Sequence, residues 1–544
     1  MLAGRLRGTR PVPRRLERAH LARAMDPARG DALRRDRPLL RCDVRARGRG
    51  DTLSRAVSAR RHAGTGEQPV SPAAVAVPCV GCRRNARGAE YSPRAGRACA
   101  ADRNGLSAAR LRNSRSSVAV DRPHSSAGVS MNHPTDFNPG LTRAVGLGTD
   151  AMPTSLYTDA AQFELERKQI FRRAWLMVGR VERIPNPGDF FVKDLAVVDA
   201  SIIVARASDG KVRAFHNVCA HRANIVEHRA SGNAKRFVCR YHSWSYDNAG
   251  ALANVPDEAG FFGLDRKKCG LTPVALEIWE GWIFINVAPE PEVTLREFLG
   301  PVADALAGIA YQHPDHPIVL RGEFKANWKA VAENFSEAYH VASIHPRTLA
   351  PFYTGPANPF GRPISVRLHG PHRSMSWWLN PLAQPFADSK VAKWLFSADH
   401  SVTGTRKAGQ TNAVVEHKHV NPTKDANWAS DVNWFFPNWH LQISANQFWT
   451  HEFWPTSAST TVWEARFYYK KAATVRDRLQ LEHFTSQITD SMLEDLGNIE
   501  SMQVGMASGA KPFVHFNESE VLCRHSLEQV VKWSNAATMK DALA

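Results

Sequence analysis

The first 130 residues contain no lysine, phenylalanine, tryptophan or isoleucine, and Tyr91 is the only tyrosine among them. A segment this poor in large apolar side chains cannot bury enough surface to offset the entropy of ordering its backbone. All 25 phenylalanines and all 15 tryptophans of the chain lie after it. We therefore expect residues 1–130 to be a disordered leader.

The same leader holds the whole net charge of the chain. It has 28 arginines and 10 acidic residues, an excess of +18, whereas the remainder has 42 basic and 42 acidic residues. Organelle-targeting peptides are poor in acids, so ten acids count against one here. A lysine-free, arginine-rich sequence is typical of GC-rich DNA translated from upstream of the true start codon. This composition predicts Met131 as the initiator. Because no net basic field remains after Met131, we expect no nucleic-acid partner.

Long apolar runs, secretory signals and abundant cysteines are also missing. Without an apolar run of membrane-spanning length, we expect no membrane partner and a cytoplasmic location. Four cysteines lie outside the leader, and a reducing compartment makes disulfides between them unexpected. No G-x-G-x-x-G loop follows a predicted strand, so a nicotinamide cofactor is expected to act only through another protein.

Strand and helix patterns occupy different parts of the chain. Short β-branched and aromatic runs separated by turn signals fill residues 181–290, and further strand-like pieces rich in Trp and Phe follow over Ser430–Tyr469. Because the two kinds of element do not alternate as βαβ units, the predicted fold class is α+β. The predicted helices are Asp159–Trp175, Leu295–Tyr311, Trp328–Ile344 and Thr474–Met506.

These patterns predict three parts after the leader. Residues 131–180 are expected to be an N-terminal helical segment of a larger domain. Residues 181–290 are expected to form a small antiparallel β domain, and residues 291–544 to complete the larger one.

Two cysteine–histidine pairs carry the strongest chemical signal. Cys219 and His221 form the first pair, and Cys239 and His242 form the second after 17 intervening residues. Zinc sites of this composition usually take two Cys from one pair and two His from the other. A Rieske [2Fe–2S] centre instead has two Cys on one iron and two His on the other. One Cys and one His in each pair therefore favours the Rieske centre over zinc.

A second pair of histidines lies farther along the chain. His340 and His345 are five residues apart, at the predicted end of a helix that Pro346 terminates. Two His and one carboxylate on one face of Fe(II) leave positions open for O2 and substrate. Two histidines near a helix end are by themselves weak evidence for an iron site. The Cys–His motif earlier in the chain makes that interpretation stronger.

Both motifs resemble one known family. The loops NVCAHRANIV and GNAKRFVCRYHSWSYDNAGAL resemble the paired Rieske loops of ring-hydroxylating oxygenase alpha subunits, except that Ser243 stands where the family usually has Gly. We expect Ser243 to alter the local backbone slightly without affecting ligation. The segment around His340 resembles the family's iron-ligand helix, with Asn334 and Tyr339 in their usual places.

The resemblance implies the remaining parts of the enzyme. It implies a Rieske domain, a helix-grip (START-like) catalytic domain with mononuclear Fe(II), and Asn334 near the iron without ligating it. The family's C-terminal ED…E..Q pattern implies Asp495 as the third ligand, with Asp490 and Glu494 as rivals. The implied partners are O2, a reductase or ferredoxin fed by NAD(P)H, and other subunits in a homotrimer or an α3β3 assembly with a small beta subunit.

Glu337 departs from the pattern of most aromatic-ring oxygenases of the family, which have Asp three residues before the first His. That Asp links the His to a Rieske His of the neighbouring subunit, and Glu337 is implied to do the same. Glu here resembles the branch that oxidises quaternary ammonium compounds such as choline and carnitine. The flanking sequence resembles aromatic-ring enzymes, so we expect an aromatic or hydrophobic substrate, with a quaternary ammonium compound as the alternative. From another class, a non-catalytic Rieske electron carrier would lack the second iron.

Overall fold

A computed structural model describes residues 129–130, 140–309, 317–384, 390–397, 412–469 and 471–544. The predicted leader, residues 1–130, lies outside the described residues except for its last two. Those two residues form a short strand that pairs with Ser365–Val366.

The bounds of the elements are as follows. The strands are β1 (Val129–Ser130), β2 (Met152–Pro153), β3 (Leu176–Arg180), β4 (Asp189–Leu195), β5 (Ala200–Arg206), β6 (Val212–His216), β7 (Ser231–Asn233), β8 (Arg236–Val238), β9 (Ser245–Asp247), β10 (Leu252–Asn254), β11 (Pro273–Trp279), β12 (Trp282–Asn286), β13 (Ile318–Phe324), β14 (Ser365–His369), β15 (His372–Trp378), β16 (Trp428–Phe435), β17 (Trp439–Ser444), β18 (Gln447–Ser457), β19 (Thr460–Tyr469) and β20 (Phe513–Val514). The α-helices are α1 (Leu141–Ala144), α2 (Ser155–Thr158), α3 (Ala160–Glu166), α4 (Leu295–Leu299), α5 (Pro301–Ala305), α6 (Trp328–Glu333), α7 (Val341–Ile344), α8 (Ala350–Tyr353), α9 (Lys390–Ser397), α10 (Ala413–Glu416), α11 (Val475–Ala507), α12 (Val521–Asn535) and α13 (Met539–Leu543).

The first half of the described chain forms two antiparallel sheets. Seven strands lie in the order β3-β12-β11-β6-β5-β4-β7, and three more in the order β10-β9-β8. A separate small hydrophobic core lies between the two sheets and includes Phe237, Trp244 and Tyr246. The larger sheet begins at Leu176, five residues before the start predicted for the small β domain.

The second half is built on an eight-stranded antiparallel sheet in the order β1-β14-β15-β16-β17-β18-β19-β13. Its strands are rich in aromatic and β-branched residues, which suit a buried pleated surface. The long helix α11 begins at Val475, and its N-cap residue Thr474 forms a capping box with Asp477. Strands and helices segregate here as the sequence predicted, so the α+β class is confirmed.

Two predicted helices are each interrupted by non-helical residues. Leu295–Tyr311 is divided by Gly300, whose φ of 53° ends α4 just before Pro301 starts α5. Its last residue, Tyr311, lies outside the described residues. Trp328–Ile344 is divided into α6 and α7 by a non-helical segment over residues 334–340.

None of the helices in the described part of the chain combines the length and the apolar composition that a bilayer crossing requires.

Two candidate iron sites

The first site lies on two loops of similar shape, one on each side of β7 and β8. The backbone N–H of Cys219 donates to Asn224 O, and that of Cys239 donates to Trp244 O, 2.8 and 2.9 Å away. Each loop also closes on its cysteine carbonyl, through Ala223 and Ser243. Both cysteines are buried and neither forms a disulfide.

The two histidines of these loops lie together near the surface. The ring centroids of His221 and His242 are 4.6 Å apart, and Trp244 stacks on His221 at 5.0 Å. His242 is exposed, whereas the cysteines are 3% or less exposed. The cysteine end of the site therefore faces the interior and the histidine end faces outward.

The donors of this site fit a two-iron cluster better than zinc. The Nδ1 atom of His221 is buried and has no hydrogen-bond partner among the described residues. In the described part of the chain, the ligand atoms of these two cysteines and two histidines do not lie close enough together to bind a single ion. Buried thiols at one end and imidazoles at the other match the donor set of a Rieske [2Fe–2S] centre.

Hydrogen bonds to the cysteine sulfurs come from two residues that the sequence analysis missed. The hydroxyl of Tyr246 accepts from Ala220 N at 2.9 Å and lies 3.2 Å from Cys219 Sγ. Because a sulfur that ligates iron is a thiolate without a proton, the hydroxyl would be the donor to it. Asn224 Nδ2 donates to Cys239 Sγ at 3.7 Å. Such bonds stabilise the more negative, reduced state of a cluster. Their only signal in the sequence was closeness to the cysteines.

Ser243 adopts the left-handed backbone that a glycine would take, with φ of 59°. Ala223 has φ of 55° at the matching position of the first loop. This conformation costs a non-glycine residue roughly 1–2 kcal/mol. The loop therefore tolerates strain at Ser243, and Ser243 N still donates to Cys239 O.

The second site brings together His340, His345 and Asp495. One ligand atom from each lies within 4.8 Å of the others. Asp495 Oδ1 is 2.8 Å from His345 Nε2 and 3.6 Å from His340 Nε2. His345 and Asp495 are 0% and 2% exposed, so an ion here would be shielded from bulk water.

The interior of this site has the unpaired atoms that a metal ion would satisfy. His345 Nε2 and Asp495 Oδ1 have no hydrogen-bond partner in the described part of the chain, despite their short separation. Burial alone would lower the pKa of His345, but Asp495 and Glu494 raise it above its ordinary value. Two imidazoles and one carboxylate are the donor set of non-heme Fe(II) oxygenases.

Glu337 holds the first histidine from a non-helical segment. Its Oε1 atom contacts His340 Nδ1, and its Oε2 atom accepts from the backbone N–H groups of Tyr339 and His340. The prediction of one continuous helix through Glu337 and His340 was wrong, because α6 ends at Glu333. By bonding to these N–H groups, the Glu337 carboxylate replaces the lost helical bonds and turns Nε2 of His340 toward Asp495.

Glu494 holds the second histidine. Its Oε2 atom is 2.7 Å from His345 Nδ1 and accepts a 2.6 Å hydrogen bond from Thr348 Oγ1. From the sequence, Glu494 and Asp490 are rivals to Asp495 for the third ligand position. Among the described residues, Asp490 is exposed and belongs to no group that could bind an ion. Glu494 contacts Nδ1 of His345, the ring nitrogen on the side away from Asp495.

The C-terminal pattern that implied Asp495 also docks α11 against the ligand segment. Glu500 Oε1 accepts from Lys325 N at 3.0 Å, and Gln503 Oε1 accepts from Asn327 N at 2.9 Å. These bonds fix the register between α11 and the start of α6. Asn334 is half-buried at the end of α6, and its Nδ2 atom has no hydrogen-bond partner among the described residues.

The two donor sets define a protein with an iron–sulfur domain and a non-heme iron domain, and comparisons with known families agree. Residues 174–270 match the Rieske [2Fe-2S] domain. Residues 304–536 match the ring hydroxylating alpha subunit (catalytic domain). Together the two matches cover more than half of the chain. The chain therefore belongs to the Rieske-type ring-hydroxylating oxygenase alpha subunits, whose domains bind a Rieske cluster and a mononuclear iron.

Curated relatives include oxygenase components with two kinds of substrate in their names. The chain is 37% identical over 205 residues to the large oxygenase component of a naphthalene 1,2-dioxygenase system of Pseudomonas aeruginosa, covering 36% of this chain and 44% of the relative. It is 34% identical over 204 residues to a glycine betaine monooxygenase oxygenase subunit of Chromohalobacter salexigens, covering 37% and 44%. The matched part spans less than half the length of these relatives.

Solved structures share the fold at low sequence identity. Naphthalene 1,2-dioxygenase from Rhodococcus sp. bound to indole is 22% identical with a TM-score of 0.57, covering 71% of this chain and 95% of that one. A quaternary ammonium Rieske monooxygenase in complex with an inhibitor is 19% identical with a TM-score of 0.56, covering 73% and 99%.

Proposed function

We propose that this chain is the terminal oxygenase component, or alpha subunit, of a Rieske non-heme iron oxygenase. The observation that carries the proposal is the meeting of His340, His345 and Asp495 in a chain that also has both Cys–His loops. A Rieske electron carrier, the rival from another class, needs no such group. When bound, the cluster supplies one-electron transfer and the mononuclear iron supplies activation of O2.

Each protein group has a defined role in this proposal. Cys219, Cys239, His221 and His242 hold the cluster, and His340, His345 and Asp495 hold the mononuclear iron. Glu337 and Glu494 accept the Nδ1 protons of their histidines, which leaves each Nε2 lone pair free to bind metal. Asn334 presents an unpaired amide beside the ligand segment without acting as a ligand.

The domain division and the assembly remain part of the proposal. Residues 181–290 would form most of the cluster domain, and residues 131–180 and 291–544 the catalytic domain. Buried Glu166, from the N-terminal segment, supports this division because it binds Lys329 Nζ at 2.7 Å and Trp328 Nε1 at 2.8 Å. We further propose a cytoplasmic homotrimer or α3β3 assembly, in which Glu337 connects His340 to a cluster histidine of a neighbouring subunit.

We propose an aromatic or hydrophobic substrate, hydroxylated with O2 and with electrons that a separate reductase or ferredoxin relays from NAD(P)H. The naphthalene dioxygenase relatives support this class. So does the aromatic packing behind the ligand segment, where Phe335 stacks on Trp463 at 5.9 Å and lies 5.7 Å from Phe453. The second candidate is a quaternary ammonium compound, which Glu337 and the glycine betaine relatives favour. Aromatic faces also attract such cations.

Oxygen uptake tests the function. The purified protein with a reconstituted reductase should consume O2 and NAD(P)H together when naphthalene, an aromatic acid or glycine betaine is added, and yield a hydroxylated or demethylated product. His345→Ala, which removes one proposed iron ligand, should abolish product formation while the cluster can still be reduced. Reduction of the cluster without product from any substrate class would favour the electron carrier.

A further inference from the structure

Three adjacent strands carry a strip of buried polar side chains on one face of the eight-stranded sheet. The strip consists of Arg373 on β15, Trp434 on β16 and His440 on β17, and none is more than 1% exposed. The sheet register pairs Arg373 with Trp434 and Trp434 with His440. Directly opposed residues project to the same face, so the three side chains form one continuous surface.

This polar strip faces the segment that carries the iron ligands. Arg373 Nη2 is 3.4 Å from Ser336 Oγ, and Ser336 immediately precedes Glu337. Phe335 lies 4.5 Å from the ring of His451, which is the cross-strand neighbour of His440. The strip therefore lies on the side of the sheet toward the mononuclear site.

The strip has more unpaired polar atoms than a structural role needs. Arg373 Nε and Nη1, Trp434 Nε1 and both ring nitrogens of His440 have no hydrogen-bond partner in the described part of the chain. A buried guanidinium without a partner is strongly unfavourable, so buried charges are normally paired. The stacking of Arg373 Cζ at 4.4 Å over Trp434 leaves that charge uncompensated.

Nearby acids do not neutralise Arg373. Among the described residues, the groups that could place negative charge near it are Cys523 and Glu333. Burial raises the pKa of the Cys523 thiol well above its ordinary value, and burial raises that of Glu333 to about 8. Glu333 Oε2 also accepts a 2.7 Å hydrogen bond from Tyr157. Burial therefore disfavours the charged form of both groups, so neither is a full counter-charge for the Arg373 guanidinium.

We propose that Arg373, with Trp434 and His440, binds a carboxylate group of the substrate. A guanidinium recognises a carboxylate through two parallel N–H···O bonds, and Nε and Nη1 of Arg373 are unoccupied. The inference rests on the proposed oxygenase function and narrows its substrate class. An aromatic acid or a quaternary ammonium acid such as glycine betaine would pair with Arg373, whereas a plain hydrocarbon would leave it unpaired.

Calorimetric binding to the metal-loaded, resting protein tests the proposal without turnover. Two matched pairs of probes separate charge from shape: benzoate against benzamide, and glycine betaine against choline. In at least one pair, the carboxylate should bind about tenfold or more tightly than its partner, because the partner leaves Arg373 unpaired. The pair that shows the preference identifies whether the carboxylate belongs to an aromatic or a quaternary ammonium compound.

Variants assign the preference to Arg373. Arg373→Met should remove it by weakening carboxylate binding about tenfold or more, with little change for benzamide or choline. Arg373→Lys retains the positive charge but not the paired N–H groups of the guanidinium, so it should keep part of the preference. This variant also serves as the test if Arg373→Met does not fold. Arg524→Met removes another buried guanidinium, whose Nη1 donates to Asp150 O, and should leave the preference intact.

The idea is overturned if neither carboxylate is preferred by the wild-type protein, if neither binds at millimolar concentration, or if Arg373→Met keeps the preference. Cluster absorbance and iron content, measured on the same samples, report separately on the proposed oxygenase function. A protein without the second iron that still preferred the carboxylate would contradict the function and not the anion site.

Discussion

The two metal sites differ in how their ligands are distributed along the chain and in how they are buried. All four cluster donors lie within residues 219–242, on two loops of similar geometry, with the histidines toward the surface. The mononuclear site combines His340 and His345 with Asp495, which lies about 150 residues later on a different helix. The cluster site, whose ligands are close in sequence, depends on loop geometry. The mononuclear site, whose ligands are far apart in sequence, depends on the packing of α11 against the ligand segment. The two sites should therefore respond independently to substitution.

The largest expected effect is at Asp495. Asp495→Ala removes the only carboxylate in the group of three, so the mononuclear iron should be lost and turnover abolished. The iron content should fall from about three to about two per chain with the cluster spectrum unchanged. Asp490→Ala, which changes an exposed acid of the same helix, is the control and should retain all the iron. A full complement of iron in Asp495→Ala would show that another residue is the third ligand.

The reciprocal change is Cys239→Ser. It should remove the visible absorbance and acid-labile sulfide of the cluster and leave one iron at the second site. The melting temperature should also fall, because metal binding contributes to the folding of small metal-bound domains. Cys269→Ser alters a partly buried cysteine of the same domain and should change neither property. If Cys239→Ser also lost the mononuclear iron, the two sites would not be independent.

Glu337→Gln should keep both metals and reduce turnover by about 10–100-fold. Its amide oxygen can still accept from the backbone N–H groups, but its NH2 group cannot accept the Nδ1 proton of His340. Single-turnover kinetics after chemical reduction of the cluster would show whether electron transfer between the two sites is the slowed step. Glu323→Gln, at an exposed position on β13, is the control. Full turnover in Glu337→Gln would count against a connecting role for this carboxylate.

A smaller effect is expected at Glu494, which supports His345 without binding metal. Glu494→Gln should weaken retention of the mononuclear iron by about 10–100-fold, since the partner of a ligating histidine fixes its ring and raises its basicity. Iron loss against a chelator would measure it. Glu482→Gln, on the exposed side of α11, should match the wild type. An unchanged rate in Glu494→Gln would mean that Thr348 and packing alone hold the ring.

The smallest effect is expected at the cluster. Tyr246→Phe removes the hydroxyl that donates to Cys219 Sγ and should lower the reduction potential by the equivalent of about 1 kcal/mol, one hydrogen bond. A spectroscopic redox titration would measure the shift, with iron and sulfide content unchanged. Tyr241→Phe, on an exposed side chain beside His242, is the matched control. An equal potential in Tyr246→Phe would show that this hydroxyl does not tune the cluster.

The sequence predicted the local features of this protein better than the distant ones. The α+β class and the cluster motif depend on patterns within short stretches, and both could be read directly. The break in the ligand helix could not, because Glu337 replaces helical hydrogen bonds with side-chain ones, and no propensity rule anticipates that. The contact of Glu494 with His345 and the polar strip around Arg373 depend on which strands and helices become neighbours. No periodicity in the sequence reports that information.

The central claim is that one chain holds a [2Fe–2S] cluster and a separate mononuclear iron. Iron and acid-labile sulfide counted on the purified wild-type protein, with a zinc assay on the same sample, test it most directly. We expect about three irons and about two acid-labile sulfides per chain, and a coloured protein. A colourless protein with zinc, or two irons without a third, would contradict it.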